Sequence, residues 1–149
     1  MSSERVSAVE SGRGVFHLAV ATHGIAIEAD EPVNAGGLGQ GLTPNELLCA
    51  ALAACTTITL RMYCMRKAWQ VKSIRTDVVE TPRNDQTPHA HFERTIHVDG
   101  NLTDGQIEKL LSIANHCPVH VTLESASEIA TQLKNSSLMS TKETPGAPQ

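Results

Sequence analysis

Apolar and polar positions alternate along this chain in three patterns, and each predicts a different element. The longest is Thr43 to Met65, TPNELLCAALAACTTITLRMYCM, apolar on nearly every side. It starts as a helix should: Thr43 caps, Pro44 suits the first helical position, and Glu46 completes a T-x-x-E capping box. Between Glu46 and Arg61 there is no charge. Ala50, Ala51, Ala53 and Ala54 make the surface small-sided. Such a helix is expected to be buried on most of its circumference. The second pattern has helical period: Ile107, Leu110, Leu111 and Ala114 follow a capping-box spacing at Thr103 and Gln106. That helix is expected to run to His116-Cys117-Pro118, where proline stops it, and Pro118 equally opens a short helical turn through Val119, His120 and Val121. The third pattern is alternation. It predicts strands at Val15–Ala21, Gly24–Ala29, Gln70–Glu80, His91–Asp99 and Ser127–Leu133. Thr22-His23-Gly24 has the length of a hairpin connection, and a polar turn region, 81–90, joins the two longer strands.

Between these elements, residues 1–12 read as a loosely held lead-in. Asp30 to Leu42 is a loop with four glycines that lacks phosphate-binding spacing. Lys72, Arg75, Asp77, Glu93 and Arg94 are expected on a solvated sheet face. Residues 135–149 read as a disordered tail, rich in Ser, Thr, Pro, Gly and Lys. The order β-β-α-β-β-α-β is that of an α+β domain over residues 1–134. A helix apolar almost all round needs more cover than one small sheet supplies, so a second copy of the chain, a homodimer, is expected.

Composition narrows the functional classes. The 149 residues suffice for one domain, and only Phe16, Tyr63, Trp69 and Phe92 are aromatic, so aliphatic residues and alanine fill the core. A net charge of -4 leaves no basic footprint for nucleic acid. The 43–65 stretch is long enough for a bilayer, but its Ala and Thr content, with Asn45, Glu46 and Arg61 at its ends, argues against membrane insertion. With no secretory signal at the N-terminus, a soluble cytoplasmic protein is expected. Cys49, Cys55, Cys64 and Cys117 match neither a secreted disulfide framework nor a zinc site.

Two of these thiols have a context for chemistry. Cys117 lies at a helix junction, in HCPVH, where the turn begun by Pro118 offers amide hydrogens. Cys55 lies mid-helix, in AACT, and would need a cation brought to it. An ordinary thiol with a pKa of ~8.5 is only about 3% thiolate at neutral pH, and lowering that value to ~6 multiplies the nucleophile roughly thirty-fold. Cys49 and Cys64 have no polar company and read as core thiols. His116 and His120 have the i, i+4 spacing of a metal pair, but Pro118 breaks the helix between them and no third ligand is near. His120 reads better as a local proton donor, and no metal or other cofactor is expected.

The stretch GGLGQGLTPNELLCAALAACT, followed some sixty residues later by HCPVHVTL, resembles the OsmC/Ohr family of organic hydroperoxide peroxidases. The resemblance covers roughly residues 12–134. It implies an OsmC-like fold of antiparallel sheets around a buried central helix, in an intertwined homodimer. It also implies that Cys55 is the peroxidatic thiolate and that Cys117 resolves the resulting sulfenic acid to a disulfide, which an external dithiol reductant reopens. The family's hydroperoxidases add an activating Arg and Glu. Arg13, in SGRG, stands at the Arg position, whereas the Glu position is Asn45 and the acid follows one residue later as Glu46. At ~100° per residue Asn45 lies about 80° from Cys55 and Glu46 about 180° away, so the first role of Glu46 is the capping box. The candidate site is therefore Cys55, Cys117, Arg13 and Glu46. The Asn45 departure leaves a second reading open, a non-catalytic OsmC-like protein binding an acyl or aromatic ligand.

Overall fold

The structure, a computed structural model, describes residues 4–81 and 90–135. Its elements, in chain order, are β1 (Ser7–Glu10), β2 (Leu18–Thr22), β3 (Ile25–Ala29), α1 (Pro44–Arg66), β4 (Val71–Thr81), β5 (His91–Gly100), α2 (Asp104–Ala114) and α3 (Pro118–Glu124), with one 3₁₀ turn at Val33–Ala35. They form an α+β fold with two antiparallel sheets, β1-β2-β3 and β4-β5.

The first sheet is tied by local chemistry. Between β2 and β3 the chain turns on His23 and Gly24, both at positive φ (51° and 77°), the conformation that two-residue hairpin turns require. The expected lead-in is instead partly a strand: Ser7–Glu10 pairs with Leu18–Ala21. All four β1 residues are exposed, so no apolar alternation announces this edge.

The glycine loop is folded around one carboxylate. Asp30 is buried, and its Oδ1 accepts from the amide of Glu31 (2.9 Å) while Oδ2 accepts from those of Leu38 (2.9 Å) and Gln40 (3.3 Å). Burial alone would push this carboxyl up. The three amides and the nearby His17 outweigh it and hold the group below its usual value. A side chain at Gly37 would collide with the Glu31 carbonyl, and one at Gly41 would come within 2.7 Å of the Glu28 carbonyl. Leu42 then runs parallel to the end of β3, closed by Leu42 N to Glu28 O (3.1 Å) and Asp30 N to Leu42 O (3.1 Å). The loop thus delivers the chain to Thr43.

At Thr43 the capping box forms in both directions, Glu46 N to Thr43 Oγ1 (3.2 Å) and Thr43 N to Glu46 Oε2 (2.8 Å). The helix lies on β4-β5, flanked by α2 and α3. Leu60, Tyr63 and Cys64 pack with Leu110 and Ala114 of α2, over Val71, Ile74, Ile96 and Val98 of the sheet. Arg61 fixes the start of β4 through the carbonyls of Val71 (2.7 Å) and Lys72 (3.3 Å), and Thr57 bonds Thr76 (2.8 Å).

Within one chain α1 is buried on one face, not on most of its circumference. The covered residues Leu52, Thr56, Leu60, Tyr63 and Cys64 recur at one side of the helix, while Leu48, Ile58, Met62 and Met65 are exposed. Two strands and two short helices span only about half of the cylinder. By length and composition α1 would also cross a bilayer, but here its packed face lies against protein. The strand expected at Ser127–Leu133 does not form: residues 126–135 run without regular structure, and Ile129 and Leu133 are solvent-exposed. Among the described residues its alternation pairs with no sheet edge. The tail 136–149 and most of the turn region between β4 and β5, at 82–89, lie outside the described residues.

Candidate active site

The site grows from one turn of α1 and the junction between α2 and α3. Helix α2 is capped at Thr103 by the expected box with Gln106, and it ends at Ala114, three residues earlier than its proline suggests. Asn115 and His116 close it by donating their amide hydrogens to the carbonyls of Leu111 and Ile113, after which Cys117 takes extended backbone angles and becomes the N-cap of α3, with Pro118 at the first helical position. α3 continues to Glu124, a full turn beyond the expected stretch. The Cys117 side chain turns inward and is fully buried, accepting from the His120 amide (3.4 Å).

Against it sits Thr56, the residue after Cys55. Thr56 Oγ1 is 3.7 Å from Cys117 Sγ. Cys55 itself lies about 100° round the helix, half-buried, at the border between the packed face of α1 and its uncovered face. All four cysteines are free thiols. Burial pushes the Cys64 thiol up, and the Cys49 thiol is raised by burial and by the carboxylates of Glu80 and Glu46, so these two stay protonated at neutral pH.

Arg94, expected on the solvated sheet face, is instead part of the site. It does not share the solvated face with Glu93: it points inward with Phe92, Ile96 and Val98, as strict alternation on β5 demands of a neighbour of Glu93. Its Nη1 donates to Thr56 Oγ1 (3.0 Å) and to the Ala114 carbonyl (3.1 Å), and its Nη2 to Asn115 Oδ1 (2.7 Å). One guanidinium thus joins β5, the Cys55 turn of α1 and the C-terminal end of α2, where exposed carbonyls favour a cation. Phe92-Arg94-Ile96-Val98 was the available signal.

Beside these groups lies a cavity of about 270 Å³, lined by Leu52, Phe92, Arg94, His120, Leu123 and Glu124 among others. His120 Nε2 faces Glu124 Oε2 at 3.5 Å, one turn along α3. His116 points elsewhere, its Nδ1 donating to the Ser112 carbonyl (2.7 Å). Among the described residues no group of three His, Cys, Asp or Glu side chains has the geometry of a metal site.

The two remaining candidates stand apart from the thiols in the single chain. Arg13 lies before β2 on the first sheet, paired with Glu28 and donating from Nη2 to Gln40 Oε1 (2.7 Å). Glu46 is engaged in the capping box at the start of α1. Within the first sheet, Ser11 Oγ meets Nδ1 of the buried His17 (2.7 Å), and the His17 Nε2 lies 3.8 Å from Glu28 Oε1.

Comparison with known proteins places this architecture. A family model described as OsmC-like protein matches residues 37–132. Among solved structures, an OsmC-like protein from Mycoplasma pneumoniae superposes with a TM-score of 0.68 at 17% identity, covering 83% of this chain and 88% of the other. A putative osmotic stress induced and detoxification response protein from Psychrobacter arcticus gives 0.66 at 20% identity, over 82% and 88% of the two chains. An organic hydroperoxide resistance protein OsmC from Legionella pneumophila gives 0.62 at 20%, over 83% and 90%. No curated protein matches the sequence significantly. At these identities the structural matches speak for the fold alone, whereas the family model spans well over half of the chain, including both Cys55 and Cys117: the protein belongs to the OsmC-like family.

Proposed function

We propose that this protein is a cytoplasmic thiol-dependent peroxidase that reduces organic hydroperoxides. Cys55 thiolate attacks the O–O bond, releasing an alcohol and becoming a sulfenic acid. Cys117 then displaces water from that sulfur to form a disulfide, and an external dithiol restores both thiols. The observation that carries the reading is the packing of the Cys117 thiol on Thr56, immediately beside Cys55 in the chain. Exposure supports the order of events: a peroxide can approach the half-buried Cys55, whereas Cys117 is fully buried. The raised Cys49 and Cys64 thiols are poor competitors.

The working form is a homodimer. Leu48, Ala51, Cys55, Ile58, Met62 and Met65 recur at spacings of three and four along α1, the seam by which two helices pack. Leu48, Ala51, Ile58, Met62 and Met65 are exposed in one chain, which supports that assembly, and Cys55, on the same stripe, is half-buried. Arg13, carried on a sheet that packs chiefly on itself, then serves as the activating cation within the dimer, held by Glu28. Glu46 remains the cap.

The test is one equivalent of cumene hydroperoxide followed by peptide mass mapping. A single Cys55–Cys117 disulfide is expected, with Cys49 and Cys64 free. Cys55→Ser should be inert, and Cys117→Ser should stop at a Cys55 sulfenic acid. Oxidation of Cys49 or Cys64 with Cys55 untouched would end this reading. A second reading, binding of an apolar small molecule, is favoured by a cavity of about 340 Å³ between β5 and α2, lined by Ile96, Val98, Leu102, Ile107, Leu110 and Leu111. Titration of the native protein with a thiol reagent at neutral pH separates the two: a peroxidase shows one fast thiol, a binding module four slow ones.

A further inference from the structure

We infer that Thr56 and Arg94 form a relay that activates the resolving thiol, Thr56 as a catalytic hydroxyl on Cys117 Sγ and Arg94 as the residue that positions it. The inference rests on the thiol-pair reading above and adds to it the groups that drive its second step.

That step needs negative charge on Cys117. Its sulfur attacks the Cys55 sulfenic sulfur, an S–S bond forms, the S–O bond breaks, and the departing hydroxide leaves as water with the proton given up by Cys117. In a fully buried place such a charge is costly unless donors meet it. Thr56 Oγ1 is the side-chain oxygen that meets the sulfur, at 3.7 Å. A threonine hydroxyl has one hydrogen and two lone pairs, and an arginine has donors only. The Arg94 Nη1 bond to Thr56 Oγ1 (3.0 Å) therefore occupies a lone pair and leaves the hydroxyl hydrogen to turn toward sulfur once sulfur is charged. A bond from the guanidinium also makes that hydroxyl a stronger donor, because hydrogen bonds in series polarise one another.

The guanidinium is itself fixed. The Ala114 carbonyl and Asn115 Oδ1 hold it at the end of α2, three and two residues before Cys117. Its positive charge lies one hydroxyl away from the sulfur, and the same bonds set where the Cys117 segment leaves the helix. Lysine could bring the charge but not the fork that reaches Thr56, Ala114 and Asn115 together.

The experiment separates attack at Cys55 from closure by Cys117. In a Cys49→Ala background, native protein is given one equivalent of a chromogenic aryl disulfide. Cys55 takes one arylthio group, forming a mixed disulfide, and releases one aryl thiolate. Cys117 then attacks the Cys55 sulfur, forming the protein disulfide and releasing the second aryl thiolate. Thr56→Val, which keeps shape and removes the hydroxyl, should slow the second release at least tenfold and leave the first within about twofold. Thr56→Ser should restore the second release to near the parent rate, which a purely structural role for the threonine methyl would not do. Arg94→Lys should slow the second release as well, with the circular dichroism spectrum unchanged. A second release as fast in Thr56→Val as in the parent overturns the relay while leaving the thiol pair standing. If the parent shows no second release, the thiol pair falls, and the relay with it.

Discussion

The uncovered side of α1 gives the proposed dimer a quantitative test at Ile58. Leu48, Ile58, Met62 and Met65 retain 40%, 59%, 65% and 72% of their surface in the single chain. Fully burying an aliphatic or methionine side chain contributes about 1.5–3 kcal/mol, so covering what remains of these four contributes roughly 4–7 kcal/mol per protomer, doubled in a symmetric pair. Association costs some 4–15 kcal/mol in lost freedom, so the seam is of the size the proposed dimer needs but cannot absorb a large insult. Ile58→Glu is such an insult. It forfeits about 1–2 kcal/mol of apolar burial per copy and forces a carboxylate into the seam, at several kcal/mol more unless it escapes to water. Even a net loss of about 4 kcal/mol weakens the dissociation constant about a thousandfold. Sedimentation velocity at low micromolar concentration should show a dimer for the native protein and a monomer for Ile58→Glu. Lys72→Glu, exposed at the start of β4, is the control and should leave the dimer intact. A native protein that sediments as a folded monomer, or an Ile58→Glu variant as dimeric as its parent, would refute the seam.

Two further predictions concern the frame around the site. The Asp30 carboxyl titrates below its usual value of 3.8 when folded, so it contributes stability above the unfolded pKa and loses it as pH falls through the folded one. Asp30→Asn should lower the urea midpoint at pH 7, and the gap to the parent should shrink as pH drops below 3.8. A gap unchanged from pH 7 to pH 2 would show that the charge of the carboxylate is immaterial. Leu60→Ala, at a fully buried position of the α1–α2–sheet core, should cost about 2–5 kcal/mol in urea unfolding, and a loss under 1 kcal/mol would mean that α1 is not packed as described.

Much of this fold was legible because its determinants are local. Both capping boxes, the proline at the start of α3 and the His23-Gly24 turn each act within four residues, and each formed where the residues indicate. Strand β1 was hidden because Ser-Ala-Val-Glu buries nothing and owes its existence to partners eight to fourteen residues away. The alternation at 127–133 misled for the converse reason: a pattern of period two makes a strand only where an edge accepts it. In the candidate site, Cys55 and Cys117 stood out by context, but what surrounds them did not. Arg94 reaches Thr56 across thirty-eight positions, and Arg13 reaches Glu28 and Gln40 across fifteen and twenty-seven. Such pairings belong to the tertiary fold, and no spacing rule encodes them.

The loop locked around Asp30 makes the first sheet behave as an outrigger. That sheet meets the rest of its own chain chiefly through residues 30–42, so its angle is set by three N–H hydrogen bonds donated to one carboxylate and by two glycines that admit no side chain. Arg13 rides on this arm, its guanidinium bonded to Gln40 of the loop itself. Change confined to the loop can therefore swing Arg13 toward or away from whatever it serves, without altering Arg13, Glu28 or any residue of α1. Reactivity could drift between relatives by remodelling a bracket while the thiols and their immediate neighbours stay the same.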